Sequence, residues 1–113
     1  MFEVSLTNDP YQYQQPYLPN GEPLELWIKF HEQQSAWIIE TMTYKDYTFH
    51  GIKIVDNVNL LAQFSSKLPF GLACYSTNKI GPSLIDDFAE KISTLYTLTQ
   101  EECDEIRQFY TGA

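Results

Sequence analysis

Four of the six prolines fall between Pro10 and Pro23, interleaved with Tyr11, Tyr13, Tyr17 and three glutamines, and that density excludes a regular helix there. The segment has to be extended or looped. Tyr11 and Tyr13 alternate, and with Tyr17 and Leu18 they suit an edge strand in which Pro16 turns its missing donor away from the ladder. Pro19-Asn20-Gly21-Glu22 then supplies an Asn-Gly pair, which tolerates the positive φ of a tight hairpin turn.

After that turn the hydrophobic period is two. Leu24, Leu26, Ile28 and Phe30 share one face, and Glu25, Trp27, Lys29 and His31 the other, which describes a half-buried strand. Glu32-Gln33-Gln34 reverses the chain into Ser35–Met42, and residues 43–46 reverse it again into Tyr47–Val55. Short polar connections favour neighbouring antiparallel pairing of these three strands. Gly51, inside the third, signals a bulge or a close backbone approach.

Residues 57–64 break the alternation and read as one helical turn or loop that tucks Leu60, Leu61 and Phe64 against the sheet. Phe70–Thr77 is a further apolar strand, residues 84–90 fit either strand or loop, and Ile92, Thr94, Tyr96 and Leu98 alternate along a late strand. Thr99-Gln100-Glu101-Glu102 has the capping-box pattern, so a helix starts there. Cys103, Ile106, Phe109 and Tyr110 form its apolar stripe, and Gly112 ends it. The expected architecture is mainly β: a small antiparallel β-sandwich or β-barrel, a meander of about six or seven strands, with one short helical turn and a C-terminal α-helix. Residues 1–113 form one domain, with a β core over 1–98 and the helix over 99–111.

Fifteen Asp and Glu oppose seven Lys and Arg, a net charge of −8 that repels a phosphate backbone, so specific nucleic-acid binding is not expected. No apolar run reaches the roughly 20 residues that span a bilayer, and Met1-Phe2-Glu3 lacks a signal-type opening, so no membrane partner is expected. The two cysteines, Cys74 and Cys103, match no zinc or disulfide spacing and read as thiols in a reducing cytosol, Cys74 as a small buried hydrophobe.

Catalytic machinery is not legible. His31 and His50 lie on separate strands with no His or Cys at a ligand spacing; a metal site there would need the strands to pair and Glu25 or Glu40 to contribute. Asp86-Asp87 reads as a solvated turn rather than a carboxylate pair, and no phosphate-binding loop or nucleophile elbow is present. The expectation is no catalysis, no metal and no cofactor. Eight tyrosines, three of them in the proline-rich segment, point instead to contact. Tyr11, Tyr13, Tyr17 and Leu18 are the candidate partner interface.

The order of segments carries a resemblance. Val4-Ser5-Leu6-Thr7-Asn8-Asp9-Pro10, an aromatic strand, Asn20-Gly21 before an alternating strand, Trp37 after a polar turn, and Gly51-Ile52-Lys53-Ile54-Val55 leading into residues 58–64 resemble the baseplate plug family of contractile-tailed bacteriophages. The nearest part runs from Gly51 to Gly71, including Asn59, Leu60, Leu61 and Leu68-Pro69-Phe70-Gly71, and the whole resemblance spans about Val4 to Leu98. The helix from Gln100 to Tyr110 is longer than that pattern. The resemblance implies a structural virion protein, made in the bacterial cytoplasm and seated in the tail baseplate. Its partners there would be hub, spike, tail tube and further copies of itself, and it would help to close the tube channel until contraction. The other reading is a small β-sandwich binding module that recognises a peptide or small ligand through its Tyr-rich edge.

Overall fold

Local pairing builds one sheet and long-range pairing the other. The computed structural model describes residues 2–18, 20–56, 59–61 and 68–111, with side chains up to residue 105. Strands β2 (Tyr11–Gln14), β3 (Glu25–His31), β4 (Ala36–Tyr44) and β5 (Tyr47–Lys53) form an antiparallel meander. The second sheet has the order β1-β7-β6, from β1 (Phe2–Val4), β6 (Phe70–Ser76) and β7 (Ser93–Thr99), again antiparallel. Helix α1 (Gln100–Thr111) follows β7 directly. Of the two expected closures the fold takes the sandwich. The meander accounts for only four of the seven strands among the described residues, since β1 pairs with β7, Phe2 opposite Thr97.

The inner faces make one core. Leu24, Leu26 and Ile28 are fully buried, as the period-two reading requires, and each is worth roughly 1.5–3 kcal/mol by burial alone. They meet Leu72, Cys74 and Leu95 of the other sheet. The Tyr44 and Phe70 rings bridge the two sheets edge to face at 4.9 Å.

A crease crosses the meander. On β4 the inward residues are Trp37 and Ile39, then Met42 and Tyr44, so the alternation loses one step at Glu40 and Thr41. The register against β3 shifts at the same place, from Trp27 opposite Thr41 to Ile28 opposite Ile39, leaving Glu40 as the extra residue of a bulge. On β5 the phase changes beside it: Phe49 is half-buried, His50 and Gly51 are exposed, and Ile52 is buried. Gly51 has φ +67°, and a Cβ there would meet nothing within 4 Å. The glycine therefore serves the backbone bend and not a close approach. Gly51→Ala should lower stability by about 1–2 kcal/mol, the cost of a Cβ in the left-handed region, with Gly51→Asn costing less. Urea midpoints unchanged in both variants would refute this.

Turns follow three different devices. At residues 18–22 the Gly21 N–H donates to Leu18 O and the Leu18 N–H to Glu22 O, both at 2.8 Å. Gly21 takes the positive φ of this turn, +85°, and Asn20 does not. Between β3 and β4, residues Glu32–Gln34 make a 3-10 turn ended by Ser35 at φ +48°. A short helical element thus stands where a plain reversal was expected. Between β4 and β5 the two-residue turn is Lys45-Asp46, with Lys45 at φ +52°.

The outer face of the β1-β7-β6 sheet is also partly covered. Ala73, Tyr75 and Leu98 pack with Cys103 of α1, so β6 is buried on both faces over most of its length. The inward row of β7 is Ser93, Leu95 and Thr97, and the expected row of Thr94, Tyr96 and Leu98 faces out, toward the helix side. The capping box forms: Thr99 Oγ1 accepts from the Glu102 N–H at 3.2 Å, and Glu102 Oε1 accepts from the Thr99 N–H at 3.0 Å. Burial works against ionisation of Glu102, yet the hydrogen bond from the Thr99 amide leads the contacts that hold its carboxyl below the ordinary range. The stripe residues Ile106, Phe109 and Tyr110, and Gly112, lie outside the described side chains.

Candidate partner interface

Strand β2 owes its position to one buried amide. Gln12 is 6% exposed; its Oε1 accepts from the Thr7 N–H and its Nε2 donates to Thr7 O and Asp9 O, each at 3.0 Å. These bonds fold residues 7–9 against the start of β2, and Asp9 Oδ1 then accepts the Tyr11 N–H at 3.1 Å. The β2–β3 register continues from Phe30 N–H on Pro10 O, through Gln12 opposite Ile28, to Leu24 N–H on Pro16 O. Even-numbered residues therefore turn their backbone groups toward β3. Pro16 does so too: its carbonyl accepts from Leu24 at 2.9 Å, so its missing donor faces the ladder and not the solvent as expected.

Odd-numbered residues carry the consequence. Tyr11 and Tyr13 direct their backbone groups to the free edge and their side chains to the outer face of the sheet. On that face the Trp27 ring lies 5.5 Å from Tyr11 and 4.8 Å from Tyr13, centroid to centroid. Tyr11 is 51% exposed, Tyr13 38%, Trp27 40% and Tyr17 70%, so this ring cluster is half open to solvent. The Tyr13 hydroxyl donates to Glu25 Oε1 at 2.8 Å, which raises its pKa. Leu18, expected on the same strip, is a core residue at 4% exposure. Trp27 is the member that sequence reasoning left out, although its place opposite Tyr13 follows once the turn at residues 18–22 fixes the register.

The Gly51–Gly71 residues form a second cluster. Asn59 Oδ1 accepts from the Leu61 N–H at 3.0 Å and the Leu72 N–H at 3.3 Å, and the Leu60 N–H donates to Leu72 O at 2.8 Å. Residues 59–60 thus cover the edge of β6, joined by Asp56, whose Oδ1 accepts from the Ser76 N–H at 2.7 Å. Gly71 lies under this contact. A Cβ there would stand 2.6 Å from both Asn59 Oδ1 and Cys103 Sγ. Ile52, Leu60 and Leu61 are buried, Pro69 is exposed, and Gly51 sits apart on the crease. The expected helical turn over residues 57–64 falls largely outside the described residues; Leu60 and Leu61 are in a turn and enter the core.

The remaining polar candidates are structural in arrangement. His31 Nε2 and Glu40 Oε1 pair at 2.6 Å, the bulge having turned Glu40 outward, while His50 Nδ1 meets Thr41 Oγ1 at 3.5 Å. Among the described residues no group of three or more His, Cys, Asp or Glu is arranged to hold a metal ion. Asp87, expected in a solvated turn, is 2% exposed, and its Oδ2 accepts from the Ser83 and Leu84 N–H groups at 2.9 and 3.0 Å. It organises the loop that closes one end of the sandwich. Burial pushes the Cys74 thiol up to about 11, so it stays protonated near neutral pH. No helix among the described residues is long and apolar enough to cross a membrane. No protein-family model matches the chain, and no curated protein matches it.

Proposed function

We propose that this chain works by contact, as a structural component of a contractile phage tail, a baseplate plug lying beside hub and spike at the end of the tube. The observation that supports contact is the β2 edge, where backbone groups of Tyr13 point outward beside the exposed rings of Tyr11, Tyr13, Trp27 and Tyr17. Aromatic side chains with a wet hydroxyl give interface area at small entropic cost. The assignment to a tail rests on the segment resemblance from Val4 to Leu98. Exposed Glu3, Asp9, Glu25, Glu32, Asp86 and Glu90 suit a wall that DNA passes without adhering, since carboxylates repel phosphates within roughly a Debye length of 8–10 Å.

The test is the chain's address. Crosslinking of particles purified from cells that make this protein should join it to baseplate neighbours through β2, and a Tyr11→Lys/Tyr17→Lys variant, altered only at exposed rings, should fold yet enter tails at least about tenfold less. Recovery only from the soluble fraction, or undiminished entry of the variant, counts against the reading. The same edge favours a second reading, a module that captures an extended peptide by strand addition. Its mark would be saturable binding of a peptide by the isolated chain, with slowed hydrogen exchange at the Tyr13 amide.

A further inference from the structure

Open sheet edges invite another strand, and proteins ordinarily guard them with charge, proline or a covering segment. Three edges here are guarded. Asp56, Asn59 and Leu60 cover β6, the ion pair of Glu3 with Lys91 lies on β1, and β5 carries His50 and Lys53 beside the crease. The β2 edge differs. Pro10 to Gly21 is the longest stretch of the chain without a charged side chain, twelve residues in a protein of net charge −8. Pro10 and Pro16 give no protection either, because they offer their carbonyls to β3 and stand out of phase with the free edge. Tyr13 and Gln15 keep their N–H groups for that side, whereas Tyr11 has already given its own to Asp9.

We infer that β2 pairs with β2 of a second copy, antiparallel about a two-fold axis at Tyr13, joining two four-stranded sheets into one of eight. This deepens the contact reading above and rests on it. The occupant follows from charge and phase. Two copies that repel each other elsewhere can approach along their uncharged strip, and only odd-numbered residues have backbone groups to exchange. With Tyr13 opposite Tyr13, both of its backbone groups are used, and each Gln15 N–H reaches the Tyr11 carbonyl of the second copy. The nearest charge along the strand itself, Asp9, then falls opposite Tyr17 and not opposite another carboxylate. On the outer face the rings run Trp27, Tyr13, Tyr13, Trp27 without a break. Such a contact uses one edge per copy, so it is isologous and closes at two. Four backbone bonds and a ring row amount to less than about 1,200 Å², the size of weak, reversible interfaces, for which a Kd on the order of 10 μM is expected.

Sedimentation of the wild-type chain at increasing concentration should show monomer passing to dimer. Tyr13→Lys sets two like charges across the axis and should weaken the dimer by at least about tenfold while the circular dichroism stays native. Hydrogen-bonded antiparallel partners stand about 5.5 Å apart at Cα, within disulfide reach, so Tyr13→Cys should crosslink on mild oxidation and Tyr17→Cys should not. A chain that stays monomeric at about tenfold above that Kd, a dimer indifferent to Tyr13→Lys, or a dimer that Tyr13→Cys fails to crosslink overturns the inference. If the chain is monomeric yet Tyr11→Lys/Tyr17→Lys still blocks entry into tails, the pairing is wrong and the contact reading stands; entry unaffected by that variant removes the contact reading itself.

Discussion

Trp37→Ala is expected to cost about 3–5 kcal/mol, the range for emptying a large aromatic site, which is about a fifth or more of the 5–15 kcal/mol that holds an ordinary domain together. Trp37 is fully buried. Its ring lies 5.2 Å from Phe30 and meets Phe88 edge to face at 5.4 Å, and its Nε1 donates to Leu84 O at 3.1 Å. The residue therefore ties β4 both to its neighbour β3 and to the loop that closes the sandwich. Alanine would leave a void and release that loop at once. Trp27→Ala is the matched control, since a ring 40% exposed on the outer face should cost about 1 kcal/mol. Chemical denaturation followed by circular dichroism gives both values, and equal losses in the two variants would remove Trp37 from its assigned place.

Gly71→Ala should be the most damaging single-methyl change, about 2–4 kcal/mol, from overpacking together with disturbed hydrogen bonds of the half-buried Asn59 amide. The added Cβ would stand 2.6 Å from Asn59 Oδ1 and 2.6 Å from Cys103 Sγ, so at least one must move. Neither moves freely. The Asn59 oxygen is held by two backbone N–H groups, and Cys103 is packed with Ala73 and Leu98. Adding Cys103→Ala should restore about 1 kcal/mol of the loss by removing one of the two collisions. A thermal midpoint for Gly71→Ala within about 2 °C of wild type would show that the site yields, since each kcal/mol moves the midpoint of a domain this size by roughly 4 °C.

The sequence was legible where local chemistry and burial agree. The strand from Leu24 shows its phase because one face is core and the other is solvent, and the Thr99–Glu102 box shows a helix start because both partners lie within one turn. Gly51 announced its bend, but the bulge beside it falls at Glu40, whose side chain gives no sign of one. Strand β7 hid its phase because both faces are covered, so apolar residues no longer mark one side. Gln12 and Asp87 look like surface residues and are buried, since each finds backbone partners that no local pattern reveals. The interface followed the same division: the tyrosines could be read directly, while Trp27, Leu18 and the phase of Pro16 depended on the β2–β3 register.

One pairing also sets a timetable. Phe2 of β1 lies opposite Thr97 of β7, so β1 leaves the ribosome well ahead of the strand it needs. At about 5–20 residues per second β1 waits roughly 5–20 s before its partner exists. During that interval the meander, whose strands are close in sequence, can already assemble and hold Leu24, Leu26 and Ile28 on a single exposed face. The newborn chain is therefore half a sandwich in search of its other slice, and nascent chains stalled short of residue 93 are the ones a chaperone should retain.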